Sequence, residues 1–461
     1  MTAALFGTDG VRGEANRFLT PELAISLARA AAACLVPRGG RVIIGRDSRT
    51  SGPMLEAALA AGFASAGAEV GLAGIIPTPA ISFLIKDERA RLGAVISASH
   101  NPPEDNGIKF FDPSGSKLTA EQEQEIEAVL RTPPAPSRRA AGIRRLQAAA
   151  TRYAAFLTGA IESEDIDLSG LSIVIDCAYG ATGPIAPQVL RHFGARVIEL
   201  NTTPDGDRIN VGCGSTHLET VRAAVAEHRA DLGLAFDGDG DRVLLVSAGG
   251  HTIDGDQVIG IVAEQWLERG LLSPRVVVTT VLSNYALERR LSERGVELVR
   301  TPVGDRNVAQ AMIARGARIG GEPSGHIIFA DHAPTGDGIL TAVKLLEIAH
   351  EAKTDLESLA RRIPLYPQAS RNLPCSHPEE FARRHAVSAL IAQAESALGK
   401  RGRVVVRSSG TQPLLRVLVE AEDRALCDRT CEELAAGLRA EIAPLESPSS
   451  EGRRCAPRRG T

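Results

Sequence analysis

Apolar residues along this chain gather into short runs that alternate with amphipathic stripes. One unit recurs three times: an apolar strand, a polar loop, an amphipathic helix, a glycine, then a second strand. The copies read "RVIIGRDSRTSGPMLEAALAAGFASAGAEVGLAG", "LSIVIDCAYGATGPIAPQVLRHFGARVIELN" and "RVVVTTVLSNYALERRLSERGVELVRTPVG". Gly67, Gly194 and Gly295 hold equivalent places, as helix stops before the second strand. Strand–helix–strand units with short loops imply parallel strands joined by right-handed crossovers. The pattern therefore predicts three similar α/β domains with mixed or parallel sheets, over 1–145, 146–256 and 257–365. "RTPPAPSRRAAG", Arg131 to Gly142, reads as a surface loop ahead of a domain-joining helix, and "IPLYPQAS", Ile363 to Ser370, as a second hinge. Beyond it, two strands, "RVVVRSSG" and "PLLRVLVEAE", each beside a helix, predict a smaller α+β C-terminal domain over 366–445. Residues 446–461 are poor in apolar side chains and are expected to be a disordered tail.

Composition changes this picture mainly by exclusion. A chain of 461 residues is long enough to bury several cores. A net charge of -4 and an aromatic content of 3% give no reason to expect nucleic acid or an anionic membrane as partner. No apolar run reaches ~18 residues, so no transmembrane helix is expected, and "MTAALFGTDG" lacks the pattern of a secretion signal. The seven cysteines are scattered without a CxxC pair and read as reduced thiols of a cytoplasmic protein.

The chemistry concentrates in a few loops. In "ADLGLAFDGDGDRVLLV", glycines let the backbone curl so that Asp237, Asp239 and Asp241 converge between two strands. Two such charges ~4 Å apart repel by about 4 kcal/mol at an effective dielectric of 20. A hard cation relieves that repulsion, and oxygen-only ligands suit Mg²⁺. An EF-hand does not fit, because strands flank the loop and Ala248 occupies its last ligand position. Arg242 offsets surplus negative charge and suits a phosphate oxygen. In "GAVISASHNPPEDNGIKFF", an apolar strand delivers Ser99 into a turn, with His100 beside it and Lys109 farther on. No GxSxG elbow surrounds Ser99, and the adjacent His100 is poorly placed as a base to its hydroxyl, so a hydrolase triad is not expected. "VVVRSSGTQPLLRV" offers Arg407, Ser408, Ser409, Gly410 and Thr411 in a turn that suits a phosphate dianion or is a plain hairpin. "IGGEPSGHIIF" offers Glu322 and Ser324 for sugar hydroxyls, while His326 is either a site residue or a satisfied structural one. "FGTDGVRG" carries Arg12 on a glycine-rich loop. There is no P-loop, and "GCGSTH" is only a poor match to a dinucleotide fingerprint.

Taken together, "FGTDGVRG", "ISASHNPPEDNGIKFF", "FDGDGDR", "GGEPSGH" and "RSSGTQP", in this order, make the chain resemble the α-D-phosphohexomutase superfamily from Leu5 to about Leu445. "SASHNP" with "SGT" is similar to its glucosamine branch. The resemblance implies four domains around a central cleft, each giving one loop. It implies a phosphorylated Ser99, with one Mg²⁺ held by Asp237, Asp239, Asp241 and a phosphoserine oxygen. Glu322 and Ser324 would hold the sugar; Arg407, Ser409, Gly410 and Thr411 would hold the non-reacting phosphate. Ser99, Lys109, His326, Arg12 and His100 form the expected catalytic group, with Arg242 beside the substrate. A phosphoserine adds about -2 charge, which Mg²⁺, Lys109, Arg242 and Arg12 would balance. The implied reaction interconverts glucosamine 6-phosphate and glucosamine 1-phosphate through a sugar 1,6-bisphosphate. That bisphosphate also serves as activator, and the product would feed peptidoglycan precursors. Gln412 and Pro323 depart from the usual motifs, which bears on the choice of sugar. The alternatives are a phosphomannomutase/phosphoglucomutase, a phosphoserine-dependent sugar phosphatase, and a non-catalytic sugar-phosphate sensor. Apart from the ion and the bisphosphate, the expected partner is a small hexosamine phosphate; a homodimer is left open.

Overall fold

The computed structural model describes residues 5–7, 9–132, 134–163, 165–408 and 413–446. The chain divides into two compact units, one reaching to Ser283 and including Leu287–Pro364, the other Asn284–Ala286 with the chain from Leu365.

The first unit contains three mixed sheets. In the first, strands Arg41–Arg46, Glu69–Ile75, Leu92–Ile96 and Ile143–Arg145 are parallel, and Asp105–Phe111 and Val11–Glu14 are added antiparallel at one edge. In the second, Ser172–Asp176, Arg196–Leu200 and Leu232–Phe236 are parallel, then Val243–Ser247 and Thr252–Ile253 turn antiparallel. In the third, Val276–Thr280, Glu297–Thr301 and Ile319–Gly321 are parallel, and Ile327–Phe329 turns back. Gly67, Gly194 and Gly295 have φ of 89°, 93° and 69°. They end helices Gly52–Ser65, Ala186–His192 and Tyr285–Glu293 in the left-handed conformation that glycine adopts without a Cβ penalty.

All three sheets share one device. A parallel strand runs into a loop and returns as an antiparallel neighbour: 92–96 into 105–111, 232–236 into 243–247, and 319–321 into 327–329. The serine, aspartate and Glu322 loops are these three connections, each at the carboxyl end of a parallel strand, where open α/β sheets place their ligands.

The domain-joining role of the segment after Gly142 is met by helix Ala149–Gly159. Ala149, Tyr153 and Leu157 enter one core that also holds Ile81 and Ile85 from the first domain, Val189 from the second and Ile259 and Leu340 from the third. Tyr153 stacks on Phe156 at 6.1 Å and donates to Asp337 Oδ2 at 2.7 Å, so burying its hydroxyl leaves no polar atom unpaired.

The second unit is a three-stranded antiparallel sheet, ordered Gln368–Pro374, Leu414–Ala421, Gly402–Ser408, with helices Pro378–Ala382, His385–Leu398 and Arg424–Glu446. The two expected strands are present. The third, Gln368–Pro374, corrects the reading of Ile363–Ser370 as hinge throughout. Pro364 and Pro367 mark a break, but Ala369 and Leu373 are buried and Arg371 between them half-buried, while the residues alternating with them are exposed, the period of a strand with one covered face. The tail beyond Glu446, and with it Cys455, lies outside the described residues. No described helix is long and apolar enough to cross a membrane.

Candidate active site

The serine loop is shaped by one guanidinium. Arg49 is fully buried and spends all five N–H donors. Its Nε donates to Asp47 Oδ2 at 3.0 Å, Nη1 to the carbonyls of Pro102 and Asp105, and Nη2 to those of Ser99 and Asn101 at 3.1 and 2.7 Å. Asp47 Oδ2 also accepts from Ser97 Oγ at 2.6 Å, and Ser97 Oγ accepts from the Ser99 N–H at 2.8 Å. These bonds hold Ser99 at φ 54°, a left-handed conformation costing a β-carbon-bearing residue about 1–2 kcal/mol. The turn aims Ser99 Oγ at the aspartate loop, where it donates to Asp237 Oδ2 at 2.7 Å. His100 Nδ1 is 3.3 Å from the same hydroxyl, closer than adjacency in sequence suggested. Burial, with Arg242 and Arg12, lowers the His100 pKa to about 4, so the ring is neutral near pH 7.

Asp237, Asp239 and Asp241 are buried, with one oxygen from each within 4.8 Å of the others. Asp239 Oδ2 accepts from Thr78 Oγ1 at 2.6 Å and Lys109 Nζ at 2.9 Å. Burial and the two neighbouring carboxylates push Asp237 well above the usual carboxylate range. Burial works the same way on Asp241, but His326, Lys109 and Arg242 outweigh it and hold that carboxyl well below. Asp239 Oδ1 and Asp241 Oδ1 are buried with no hydrogen-bond partner. Three converging carboxylates with two such orphaned oxygens are a donor set that fits a hard divalent cation.

Lys109 Nζ reaches Asp239 Oδ2 and, at 3.2 Å, Asp9 Oδ2. Burial opposes its charge, yet these carboxylates raise its pKa, so it is held as a cation. Asp9 also binds Arg12 and Lys117, and Lys117 binds Asp305. Asp9, Lys117 and Asp305 are absent from the sequence-based candidates; the one local signal was Asp9 inside "FGTDGVRG". Arg242 Nε lies 3.7 Å from Asp241 Oδ1. Burial works against the guanidinium's charge, but Asp241 and Asp237 outweigh it and raise its pKa.

Glu322 Oε1 accepts from the Gly304 N–H at 3.1 Å, and Ser324 Oγ is 3.4 Å from Oε2. The Pro323 carbonyl accepts from the Gly255 N–H at 3.1 Å, so the proline supplies an acceptor in a loop that does not need its missing donor. Gly325 has φ 88°, and a Cβ there would fall 2.1 Å from the Val243 carbonyl oxygen. His326 is buried; burial opposes a charge on its ring while Asp241 and Asp305 favour one and prevail. The Gly336 N–H nevertheless donates to Nε2 at 3.0 Å, which requires a lone pair there. In the neutral ring that bond places the proton on Nδ1, toward Asp241 at 3.4 Å. Both nitrogens are thus engaged, the pattern of a structural histidine.

Arg407 lies on strand Gly402–Ser408, opposite Arg416 of Leu414–Ala421. Burial and Arg416 lower the Arg407 pKa, and Arg416 Nε is buried without a partner. Two facing guanidiniums repel unless an anion joins them. Arg416 is another residue the sequence pattern did not single out. Ser409, Gly410, Thr411 and Gln412 lie outside the described residues.

Four family models match in order. They are the phosphoglucomutase/phosphomannomutase alpha/beta/alpha domains I, II and III over residues 3–135, 151–250 and 254–366, and the C-terminal domain over 371–437. The phosphoglucosamine mutase of Carboxydothermus hydrogenoformans is 46% identical over 439 residues, covering 94% of this chain and 98% of the relative. That of Symbiobacterium thermophilum is 47% identical over 447 residues, covering 95% and 99%. Among solved structures, a phosphoglucomutase/phosphomannomutase family protein from Burkholderia thailandensis superposes with a TM-score of 0.79 at 27% identity, covering 95% of this chain and 97% of that one. The N-acetylphosphoglucosamine mutase of Aspergillus fumigatus, at 17% identity and a TM-score of 0.66, shares the fold, with 95% and 96% covered. Identity at this level across nearly the full length, with all four domains in order, makes the chain an enzyme of the isomerase class that belongs to the phosphoglucosamine mutase family.

Proposed function

We propose that this chain interconverts glucosamine 6-phosphate and glucosamine 1-phosphate by passing a phosphoryl group through Ser99. The observation that carries the proposal is the 2.7 Å contact between Ser99 Oγ and Asp237, inside a buried acidic triad lined by cations. In the first half-reaction the Oγ–P bond of phosphoserine 99 breaks as a P–O bond forms to the free sugar hydroxyl, whose proton passes to Ser99 Oγ. The resulting 1,6-bisphosphate turns over in the site. In the second half-reaction its other phosphoryl group returns to Ser99 Oγ, and the proton that Oγ gives up restores the sugar hydroxyl.

Asp237, Asp239, Asp241 and a phosphoserine oxygen would hold Mg²⁺. When bound, that ion supplies neutralisation of charge developing on the transferring group. Lys109 and Arg12 bring fixed positive charge to the same place, and Arg242 does so from the aspartate loop. Lys109, held protonated, serves as acid or as charge toward the departing oxygen rather than as resting base. The neutral His100 beside Ser99 Oγ is a candidate proton carrier, and His326 acts through Asp241. Glu322 and Ser324 would take sugar hydroxyls, and Arg407, Ser409, Gly410 and Thr411 the phosphate at rest.

We place the enzyme in the cytoplasm, with a small hexosamine phosphate as its partner. Intact mass of the purified protein should show one phosphoryl group that Ser99→Ala lacks, and the variant should lose mutase turnover. Relative kcat/KM on glucosamine, glucose and mannose 6-phosphates should rank glucosamine first. Substantial turnover by Ser99→Ala contradicts the scheme; a preference for glucose or mannose phosphate contradicts the choice of sugar.

A further inference from the structure

We propose that Asn210 is a positioning residue for phosphoryl transfer, its side-chain amide tying the turn that carries Ser99 to the loop that carries Asp237. The proposal rests on Ser99 being the phosphorylated residue.

Asn210 lies between the second sheet's strands 196–200 and 232–236, just before the "GCGSTH" stretch that no dinucleotide explains. It is buried, and its φ of 62° is left-handed, a conformation asparagine tolerates better than most residues. The backbone is fixed there, since the Asn210 N–H donates to the Ala178 carbonyl at 3.1 Å. The side-chain Nδ2 then donates to two carbonyls of the serine turn, Ser99 at 2.9 Å and Asn101 at 3.1 Å.

These are the two carbonyls that Arg49 Nη2 also holds. The division of labour follows from where each donor is anchored. Arg49 follows strand Arg41–Arg46 in the serine's own domain and shapes the turn, but it does not fix where that turn sits relative to the aspartates. Asn210 belongs to the aspartates' own domain. Gly238, between Asp237 and Asp239, lies against it: a Cβ on Gly238 would fall 2.9 Å from Asn210 Nδ2 and 2.8 Å from the Ser99 carbonyl oxygen. Four residues on, a Cβ on Gly214 would fall 2.5 Å from the carbonyl oxygen of Phe236, which precedes Asp237, and the Gly214 N–H donates to Asp176 Oδ2 at 2.9 Å. The 210–214 segment is thus seated on the aspartate strand while its amide grips the serine turn.

The grip matters most in the phosphorylated enzyme. The direct Ser99 Oγ to Asp237 bond uses the hydroxyl proton, which phosphorylation removes. The two amide bonds use backbone carbonyls and survive it. Another tie between the two domains nearby, Thr50 Oγ1 to Asp207 Oδ1 at 2.7 Å, is exposed and does not touch the turn.

The test uses the full-length enzyme and two variants. Asn210→Gly keeps the left-handed backbone and deletes the amide; Asn210→Asp keeps the shape and turns a carboxylate toward two carbonyls. Each is loaded with a hexose 1,6-bisphosphate and assayed for Ser99 occupancy by intact mass, for kcat and KM on the sugar phosphate, and for thermal midpoint. The expected result is a kcat lowered ~10–100-fold, with Asn210→Asp the worse, at a KM within about threefold of wild type. The thermal midpoint of Asn210→Gly stays close to wild type. Asn210→Gly with kcat within about twofold of wild type overturns the proposal, as does a loss confined to KM. If Asn210→Gly does not fold, the isosteric Asn210→Asp decides on the same criteria. A wild-type enzyme that takes no phosphoryl group at Ser99 would instead overturn the reading of Ser99.

Discussion

Lys109 Nζ stands 2.9 Å from Asp239 Oδ2, so a buried ammonium of the first α/β domain is the counter-ion of a carboxylate in the second. Replacing it with methionine keeps the stem's volume and removes the charge. Asp239 then loses its ion pair, and Asp9 keeps only Arg12 and Lys117. We expect Lys109→Met to lower kcat by about 10²–10³-fold and to cost about 3–5 kcal/mol of unfolding free energy. Steady-state kinetics and urea unfolding measure the two effects. Unaltered kcat would remove Lys109 from the site.

Arg49→Lys tests the shape of the serine turn. Lysine keeps a positive charge near Asp47 but offers three donors from one point, not five in a planar fork. The Ser99 and Asn101 carbonyls keep the Asn210 amide, so the loss falls on those of Pro102 and Asp105, at about 1–3 kcal/mol each where no other donor replaces the fork. The urea midpoint should fall accordingly, with the same slope. A midpoint matching wild type means that the fork is dispensable.

Asp237→Asn separates stability from metal binding. In the metal-free protein it removes one of three crowded charges, and the Ser99 hydroxyl still finds an amide oxygen. Because burial and its neighbours already hold the Asp237 pKa high, the metal-free variant should melt no lower than wild type. Added Mg²⁺ at about 100 times its Kd should stabilise wild type by about 2.7 kcal/mol and the variant far less. Equal Mg²⁺-induced shifts in calorimetric scans of both proteins would place the ion elsewhere.

Asp337 carries a pH signature outside the reacting groups. Burial raises its pKa from 3.8 to about 6, although Leu340 N–H and Tyr153 O–H both donate to it. A raised acid pKa means that the folded state keeps its proton longer than the unfolded one. Its stabilising contribution is complete below the unfolded value and is lost as pH rises through about 6. Asparagine does not titrate. Relative to Asp337→Asn, wild type should therefore lose about 1–1.5 kcal/mol between about pH 5 and pH 7.5. Urea unfolding of both proteins across that range gives the difference, and a flat difference refutes the assignment.

The loops were legible in the sequence because their chemistry is local: the carboxylates of "DGDGD" converge through the glycines between them, and Ser99 ends a strand whose apolar run is contiguous. The sheets were legible because the helix-stop glycines mark each crossover. What stayed hidden are partners far apart in the chain. Asn210 meets Ser99 across 111 positions and Lys117 meets Asp305 across 188, and no periodicity encodes such a pair. Arg49 read as one charge in a polar loop, because only the folded chain brings four carbonyls to it. Strand Gln368–Pro374 was obscured by Pro364 and Pro367 just before it and by Pro374 at its end, where a strand on the edge of its sheet tolerates a proline.

The returning hairpin at one edge of each of the three sheets separates what must stay constant from what can vary. Strand pairing and the crossover helices fix where each connection emerges, while its few residues decide what it holds. On the proposed assignment, changing Glu322 and Ser324 alone would retune the preferred hexose while leaving the nucleophile's turn in place, because the 97–104 turn hangs from a different sheet. Such a scaffold is modular, and its specificity can diverge one connection at a time.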